Sequence, residues 1–189
     1  MTDTAPPLLF LDVDGPLIPF GATRRQFPNG YPTYPAVGGP PGADRNPLLD
    51  RIDPAHGPRL RALRCELVWA TTWLSEANEV VAPRLGLPAL PVVDLPDRTA
   101  DQEAADAWAG LHPKTRALLA WAAGRPFAWV DDEIGAADRS WVAAHHPGPA
   151  LLHRVDPRTG LTDADFTALH TWRTGLPDHG PSAGSDGRA

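Results

Sequence analysis

The sequence predicts an α/β fold, with a mostly parallel sheet and helices on both of its faces. Two observations predict this class. Short apolar runs, typical of strands buried on both sides, alternate with segments of helical periodicity. Three of these runs also end directly in acidic or hydroxyl side chains. In such a sheet, ligands bind at the carboxyl ends of the strands, so these polar groups are expected to converge on one edge.

Five segments are predicted as strands. They are residues 8–11, 67–70, 90–93, 127–130 and 151–155. The first four are short, mainly apolar runs, as buried strands are, and the fifth also contains His153 and Arg154. The third segment contains a proline, which interior strands disfavour.

Helices are predicted between these strands. The segments are the end of a short helix at 58–63, then 74–85, 113–122, 138–145 and a last helix that begins near 162. Gly86 stops the second of these, and Pro113 suits a first helical position. Thr162 and Asp165 resemble a capping box. Residues 94–110 are acidic and rich in alanine, and their pattern assigns them to neither class.

Length and composition predict one domain over residues 1–176. The chain has 189 residues, 42% hydrophobic and 21% charged, which suits a globular protein with its own core. Residues 16–58 are dense in proline and glycine without a sustained period, which predicts a functional or disordered loop. The polar, glycine-rich segment 177–189 is predicted to be a disordered tail.

Charge and cysteine content exclude several protein classes. The net charge of −6 disfavours broad non-specific binding to nucleic acid or anionic lipid, although it is compatible with a local basic site. The single cysteine excludes an intramolecular disulfide framework and a cysteine-based zinc site. The apolar run at 8–11 is far too short for a signal sequence or a membrane span. We therefore expect a cytoplasmic protein that makes no membrane contact.

The chemistry is predicted from three pairs of polar residues at strand ends and from one lysine. The pairs are Asp12 and Asp14, Thr71 and Thr72, and Asp131 and Asp132. Four carboxylates at one edge repel one another, and Mg²⁺ with oxygen ligands would relieve that repulsion. Lys114 at a helix start is unfavourable unless an anion lies beside it, so it predicts a phosphate site. A nucleophile, an acid/base and cationic or hydroxyl groups are what phosphoryl transfer requires.

In their order along the chain, these residues resemble the haloacid dehalogenase (HAD) superfamily of phosphohydrolases. The motifs are Asp12-Val13-Asp14-Gly15, Leu67-Val68-Trp69-Ala70-Thr71, Lys114 and Val130-Asp131-Asp132. The resemblance implies a Rossmann-like sheet with no cap domain or a minimal one. Receiver domains use similar groups, but their acidic pair comes first along the chain, whereas here the pair at 131–132 comes last.

The resemblance also implies a role for each residue of the catalytic step. Asp12 is expected to be the nucleophile that forms an aspartyl-phosphate, and Asp14 the general acid and base. Lys114 and one of the two threonines, with Thr71 preferred over Thr72, are expected to bind the phosphoryl group. The threonines could instead cap the following helix.

The expected cofactor is Mg²⁺. By the resemblance, its ligands are Asp12, the backbone carbonyl of Asp14 and Asp131, and Asp132 supports this shell. The acidic pair at 131–132, taken alone, would equally suit an ordinary turn after a strand.

A narrower resemblance bears on the substrate. The segments 68–73 and 156–162 are similar to a small bacterial branch that includes HAD domains of RNA-repair proteins. One departure is Pro16, where the family commonly has threonine or valine, and this bears on substrate access.

The expected substrate is a phosphorylated nucleic-acid end, with a small phosphomonoester as the alternative. An uncapped site favours large substrates by the same resemblance. Arg24 and Arg25 could hold phosphates, and Trp73 could stack on a base, although a solvated loop and a packing role suit these residues as well. From another class, a non-catalytic binding module could keep this fold. The sequence leaves the oligomeric state open.

Overall fold

A four-stranded parallel sheet lies at the centre of the computed structural model, which describes residues 5–35, 46–95 and 99–176. The strands are β1 (Leu8–Leu11), β2 (Glu66–Trp69), β3 (Phe127–Asp131) and β4 (Ala150–Arg154). Their order across the sheet is β2-β1-β3-β4, and every neighbouring pair is parallel. The predicted class is therefore confirmed.

The register brings the polar ends of three strands to one edge. Leu11, the last residue of β1, lies opposite Trp69 of β2 and Val130 of β3. The residues that follow these positions in the three strands therefore emerge side by side. The continuous apolar run of β1 was predicted to be a strand buried on both sides, and all four of its residues are buried.

Six helices accompany the sheet in the described part of the chain. They are α1 (His56–Ala62), α2 (Ala82–Leu85), α3 (Ala100–Ala109), α4 (Thr115–Ala122), α5 (Ala136–His145) and α6 (Asp163–Gly175). A 3-10 helix at Pro47–Arg51 precedes α1, and a π-helical turn at Ala77–Val81 precedes α2. None of the described helices has the length and apolarity that crossing a membrane requires.

Two hydrophobic clusters, one on each face of the sheet, form the core. Alternate residues of β1 divide between them, with Leu9 in one cluster and Phe10 in the other. The first cluster includes side chains of α1, α2 and α6, and the second includes side chains of α4 and α5. The helices thus cover both faces, as predicted.

The predicted strand at 90–93 was wrong. Only one bridge forms there, between Val92 and Trp69. Its two hydrogen bonds run from the Trp69 N–H to the Pro91 carbonyl and from the Val93 N–H to the Trp69 carbonyl, both at 2.8 Å. Pro91 has no N–H with which to extend the ladder.

The predicted helix at 74–85 is shorter and irregular. A turn that includes Leu74, whose φ is 48°, precedes the π-helical turn, and α2 covers only the last four residues. Pro83 has no N–H for the carbonyl four residues earlier, and the turn before it widens into the π form. Gly86 ends α2 in the left-handed conformation, as predicted.

The helix α3 was not predicted, because its apolar residues do not face a core. Asp106 is its only buried residue. The sequence nevertheless contains a signal for the start of this helix, since Thr99 and Gln102 form a capping box with hydrogen bonds of 3.1 and 3.3 Å. The remaining predicted helices are present with boundaries shifted by a few residues. Residues 177–189, predicted as a tail, and residues 36–45 of the predicted loop lie outside the described residues.

Candidate active site

A buried lysine lies between two aspartates at the carboxyl edge of the sheet. Asp12 follows β1, Asp131 ends the neighbouring β3, and Lys114 directly precedes the first residue of α4. The Lys114 ammonium nitrogen lies 2.9 Å from Asp12 Oδ2 and 2.8 Å from Asp131 Oδ2. Lys114 is only 5% exposed and is the only lysine of the chain.

The charges of these three residues depend on one another. Burial raises the pKa of Asp12 to about 6, with the negative charge of Asp131 acting in the same direction and Lys114 acting against it. Burial alone would lower the pKa of Lys114, but the two carboxylates outweigh it and raise that pKa. Lys114 is therefore a permanent cation at this edge.

Asp132 adds a third carboxylate, and together the three fit a divalent cation. Carboxylate oxygens of Asp12, Asp131 and Asp132 all lie within 4.8 Å of one another. Burial, followed by the charge of Asp131, raises the pKa of Asp132. Three carboxylates against one ammonium leave an excess of negative charge. An all-oxygen donor set of this kind suits Mg²⁺.

A second group of possible ligands, formed by His112, Asp131 and Glu133, fits Mg²⁺ less well. Their ligand atoms also lie within 4.8 Å of one another. However, His112 Nε2 already pairs with Glu133 Oε2 at 3.1 Å, and imidazole is not a preferred Mg²⁺ ligand.

Gly15 allows the loop after β1 to pass directly against Asp132. Its φ is +83°, and a Cβ placed on it would lie 2.6 Å from the Asp132 Cγ and Oδ1 atoms. Beyond it, the Pro16 carbonyl accepts a hydrogen bond of 2.9 Å from the Leu161 N–H. The unusual Pro16 thus contacts the 156–162 segment, and a Cβ on Gly160 would lie 3.0 Å from the Pro16 carbonyl oxygen.

The Asp14 carboxylate does not belong to either group of ligand atoms that lie within 4.8 Å of one another. It is half-buried, and its Oδ2 accepts a hydrogen bond of 2.8 Å from the indole N–H of Trp73. From the sequence, Trp73 was predicted only to stack on a base or to pack. That Asp14 serves the metal through its carbonyl stays a prediction.

The two threonines after β2 differ in exposure. Thr71 is 1% exposed, and its hydroxyl oxygen accepts a hydrogen bond of 3.4 Å from the backbone N–H of Trp73. Thr72 is exposed. Thr71 therefore has the better placement for a buried phosphoryl site, although the choice between them stays a prediction.

Arg24 and Arg25 form no hydrogen bond or ion pair with the three carboxylates or with Lys114. Both lie exposed in a turn of the loop after β1, and neither forms a hydrogen bond or ion pair with another of the described residues. Their role toward a substrate stays a prediction.

Two residues that position Lys114 were not predicted from the sequence. His112 Nδ1 accepts a hydrogen bond of 3.1 Å from the Lys114 backbone N–H. Asp138, only 1% exposed, accepts from the His112 N–H at 2.8 Å and from the Thr115 hydroxyl at 2.5 Å through one oxygen. Its other oxygen accepts from the Gly135 N–H at 2.8 Å. The sequence signal that could have indicated Asp138 is its place three residues after Gly135, where an acidic side chain can accept a hydrogen bond from the N-cap backbone N–H.

Comparisons with known proteins identify the family of this chain. No curated protein and no solved structure matches the sequence. One family, described as the HAD domain in Swiss Army Knife RNA repair proteins, matches residues 8–166, which include every strand of the sheet and all the carboxylates described above. The chain belongs to this family of HAD domains, and the family supports a phosphohydrolase of the HAD type.

Proposed function

We propose that this chain is a Mg²⁺-dependent phosphomonoester hydrolase that acts through an aspartyl-phosphate on Asp12. The observation that carries the proposal is the buried Lys114 between Asp12 and Asp131, with Asp132 alongside. A lone buried lysine is costly, and the two carboxylates favour its charged form, which raises the pKa of Lys114. A third carboxylate then makes sense if a divalent cation joins them.

Asp12, Asp131 and Asp132 are the residues that would hold Mg²⁺. When bound, the ion would neutralise the charge of the phosphoryl oxygens and help to orient them. Lys114 supplies a positive charge of its own at the same edge. Two of its three N–H bonds point to carboxylates, which leaves the third for a phosphoryl oxygen.

In the first step, an oxygen of Asp12 attacks phosphorus. Oδ2 is paired with Lys114, so Oδ1 is the oxygen left for the attack. The new Asp12–phosphorus bond forms as the bond to the leaving oxygen breaks. Asp14 gives its proton to that oxygen, and the Thr71 hydroxyl and the Lys114 ammonium stabilise the charge on the transferring group.

In the second step, water attacks the phosphorus of the aspartyl-phosphate. Asp14, now ionised, takes a proton from that water. The Asp12–phosphorus bond breaks, inorganic phosphate leaves, and both carboxylates return to their starting states. The same residue thus acts as acid and then as base.

A phosphorylated nucleic-acid end is the proposed substrate. The family is described by its occurrence in RNA repair proteins. In the described residues, the connection from β1 to β2 contains only the 3-10 helix and α1, which leaves room for a large substrate. The net charge of −6 favours the second candidate, a small phosphomonoester, because it opposes binding of a polyanion.

Phosphate release tests the proposal. Wild type, Asp12→Asn and an EDTA control are compared on p-nitrophenyl phosphate and on a 3′-phosphorylated oligonucleotide. Asp163→Asn is a matched control, because this carboxylate is exposed and forms a surface ion pair of 2.8 Å with Arg59. We expect Mg²⁺-dependent release by wild type and Asp163→Asn and none by Asp12→Asn.

The outcomes separate the alternatives. A higher kcat/KM on the oligonucleotide supports a nucleic-acid end, whereas a preference for the aryl ester favours a small phosphomonoester. Full activity of Asp12→Asn would contradict the assignment of Asp12 as the nucleophile. Mg²⁺-dependent thermal stabilisation without turnover on either ester indicates a binding module.

A further inference from the structure

Trp73 joins two parts of the site that lie on different strands. Its indole N–H donates to Asp14 Oδ2 at 2.8 Å, and its backbone N–H donates to the Thr71 hydroxyl oxygen at 3.4 Å. The ring is partly buried and packs against the hydrophobic cluster that contains Leu9 and Leu11. The donor is therefore fixed by the core and aimed at a side chain of the site.

We propose that Trp73 is a positioning residue for proton transfer by Asp14, an inference that rests on the proposed function. An indole N–H can only donate, so its partner Oδ2 is held as an acceptor. The proton that Asp14 transfers is then carried by Oδ1. The terminal torsion of an aspartate is broad, and an anchor on one oxygen is what fixes the direction of the other.

No other described residue donates a hydrogen bond to the Asp14 carboxylate. Removal of the indole N–H thus removes the whole anchor rather than one of several. Trp69 provides a comparison, because its indole N–H donates at 2.9 Å to the side chain of Asn78, which touches none of the site carboxylates. Both tryptophans are packed in the same cluster, and only one of them faces the acid/base.

If Trp73 positions Asp14, the loss of activity on changing Trp73 should depend on the leaving group of the substrate. In the first step the proton goes from Asp14 Oδ1 to the leaving oxygen as its bond to phosphorus breaks. An alkoxide needs that proton, whereas p-nitrophenolate leaves readily without it. The ratio kcat/KM includes only steps up to the first irreversible one, so it reports on this step and not on hydrolysis of the aspartyl-phosphate.

The experiment compares kcat/KM for β-glycerophosphate and p-nitrophenyl phosphate. For Trp73→Phe we expect about a tenfold loss on the alkyl ester and a change within about twofold on the aryl ester, a part of what a general acid contributes. Replacement of Trp73 by benzothienylalanine keeps the ring shape and removes only the N–H, so it should give the same pattern even if the phenylalanine variant does not fold. Trp69→Phe should leave the ratio of the two kcat/KM values unchanged.

A double variant gives a second readout. Once Asp14→Asn has removed the acid, Trp73→Phe should lower kcat/KM on the alkyl ester no further. Equal losses on both esters, or no loss on either in the benzothienyl variant, would overturn the positioning role and leave the phosphatase function intact. A rise in KM confined to the oligonucleotide would overturn it in favour of stacking on a base. No turnover by wild type, or full activity of Asp12→Asn, would overturn the function and this role together.

Discussion

Replacement of Lys114 by methionine removes the one positive charge between Asp12 and Asp131 while keeping a side chain of similar length. The two carboxylates then lie buried without the ammonium that is 2.9 and 2.8 Å from them. Removal of one partner from a buried ion pair costs about 3–5 kcal/mol. Asp12, whose pKa is already about 6, can take up a proton and reduce that loss, so we expect the lower end of the range.

A loss of about 3 kcal/mol corresponds to a fall in Tm of about 6–12 °C for a chain of this size. Mg²⁺ should restore part of it. Without the ammonium, the three carboxylates attract a cation more strongly, and a tenfold tighter Kd is worth about 1.4 kcal/mol of added stabilisation. Activity should fall by about 10²–10³, because a group that stabilises the transferring oxygens is lost.

The assay is thermal unfolding of Lys114→Met and wild type at pH 8, in EDTA and in excess Mg²⁺, with phosphate release measured in parallel. Arg59→Met is the control, since its ion pair with Asp163 lies on the surface, with side chains that are 38% and 95% exposed. The control should lose about 1 kcal/mol or less and respond to Mg²⁺ as wild type does.

Two results would refute the reasoning. If Lys114→Met unfolds at the wild-type temperature in EDTA, the ammonium does not compensate buried carboxylates. If the Mg²⁺ response of the variant is no larger than that of wild type, the ion does not bind at the carboxylates that Lys114 contacts.

Three further changes test other parts of the molecule. Gly15→Ala, at a φ of +83° and with its Cβ 2.6 Å from Asp132, should displace that carboxylate. The apparent affinity for Mg²⁺, measured from the rise in Tm, and the rate of phosphate release should each fall at least about tenfold. Ala123→Gly should stabilise the fold by about 0.5–1 kcal/mol in urea denaturation at unchanged activity, because Ala123 ends α4 with a φ of 48°; a loss of stability would contradict this. Burial lowers the pKa of His56, whose Nδ1 has no partner among the described residues, so the unfolded state binds more protons below pH 6.5. Stability should therefore be complete above that pH and decline as the pH falls below it, and His56→Gln should flatten the decline; an equal slope in both proteins would exclude His56 as its source.

The sheet and its acidic edge could be predicted because their causes are local. A continuous apolar run such as Leu8–Leu11 is typical of a strand covered on both faces, and the polar residues that follow parallel strands of this kind share an edge. The strand predicted at 90–93 was wrong for an equally local reason, since Pro91 has no N–H with which to extend the ladder beyond the single bridge at Val92.

The residues that orient the site could not be predicted from local patterns. Trp73 lies far from Asp14 along the chain, and only the parallel pairing of β1 and β2 brings its indole to that carboxylate. Asp138 reaches across from α5 to the start of α4, a contact that depends on how two helices pack. The sequence contains the chemical groups, whereas the pairs they form follow from tertiary structure.

The chain's single lysine makes the site separately addressable by amine chemistry. The other permanently cationic side chains are arginines, and histidines are not amines, so an amine-reactive reagent meets no other side-chain amine on the protein. Because Lys114 is 5% exposed and held by two carboxylates, its rate of acylation would measure how often the site opens to solvent. Reductive methylation with a ¹³C label keeps the positive charge and would place one side-chain NMR signal between Asp12 and Asp131. That signal would report on the proposed ion binding, substrate binding and phosphorylation of Asp12.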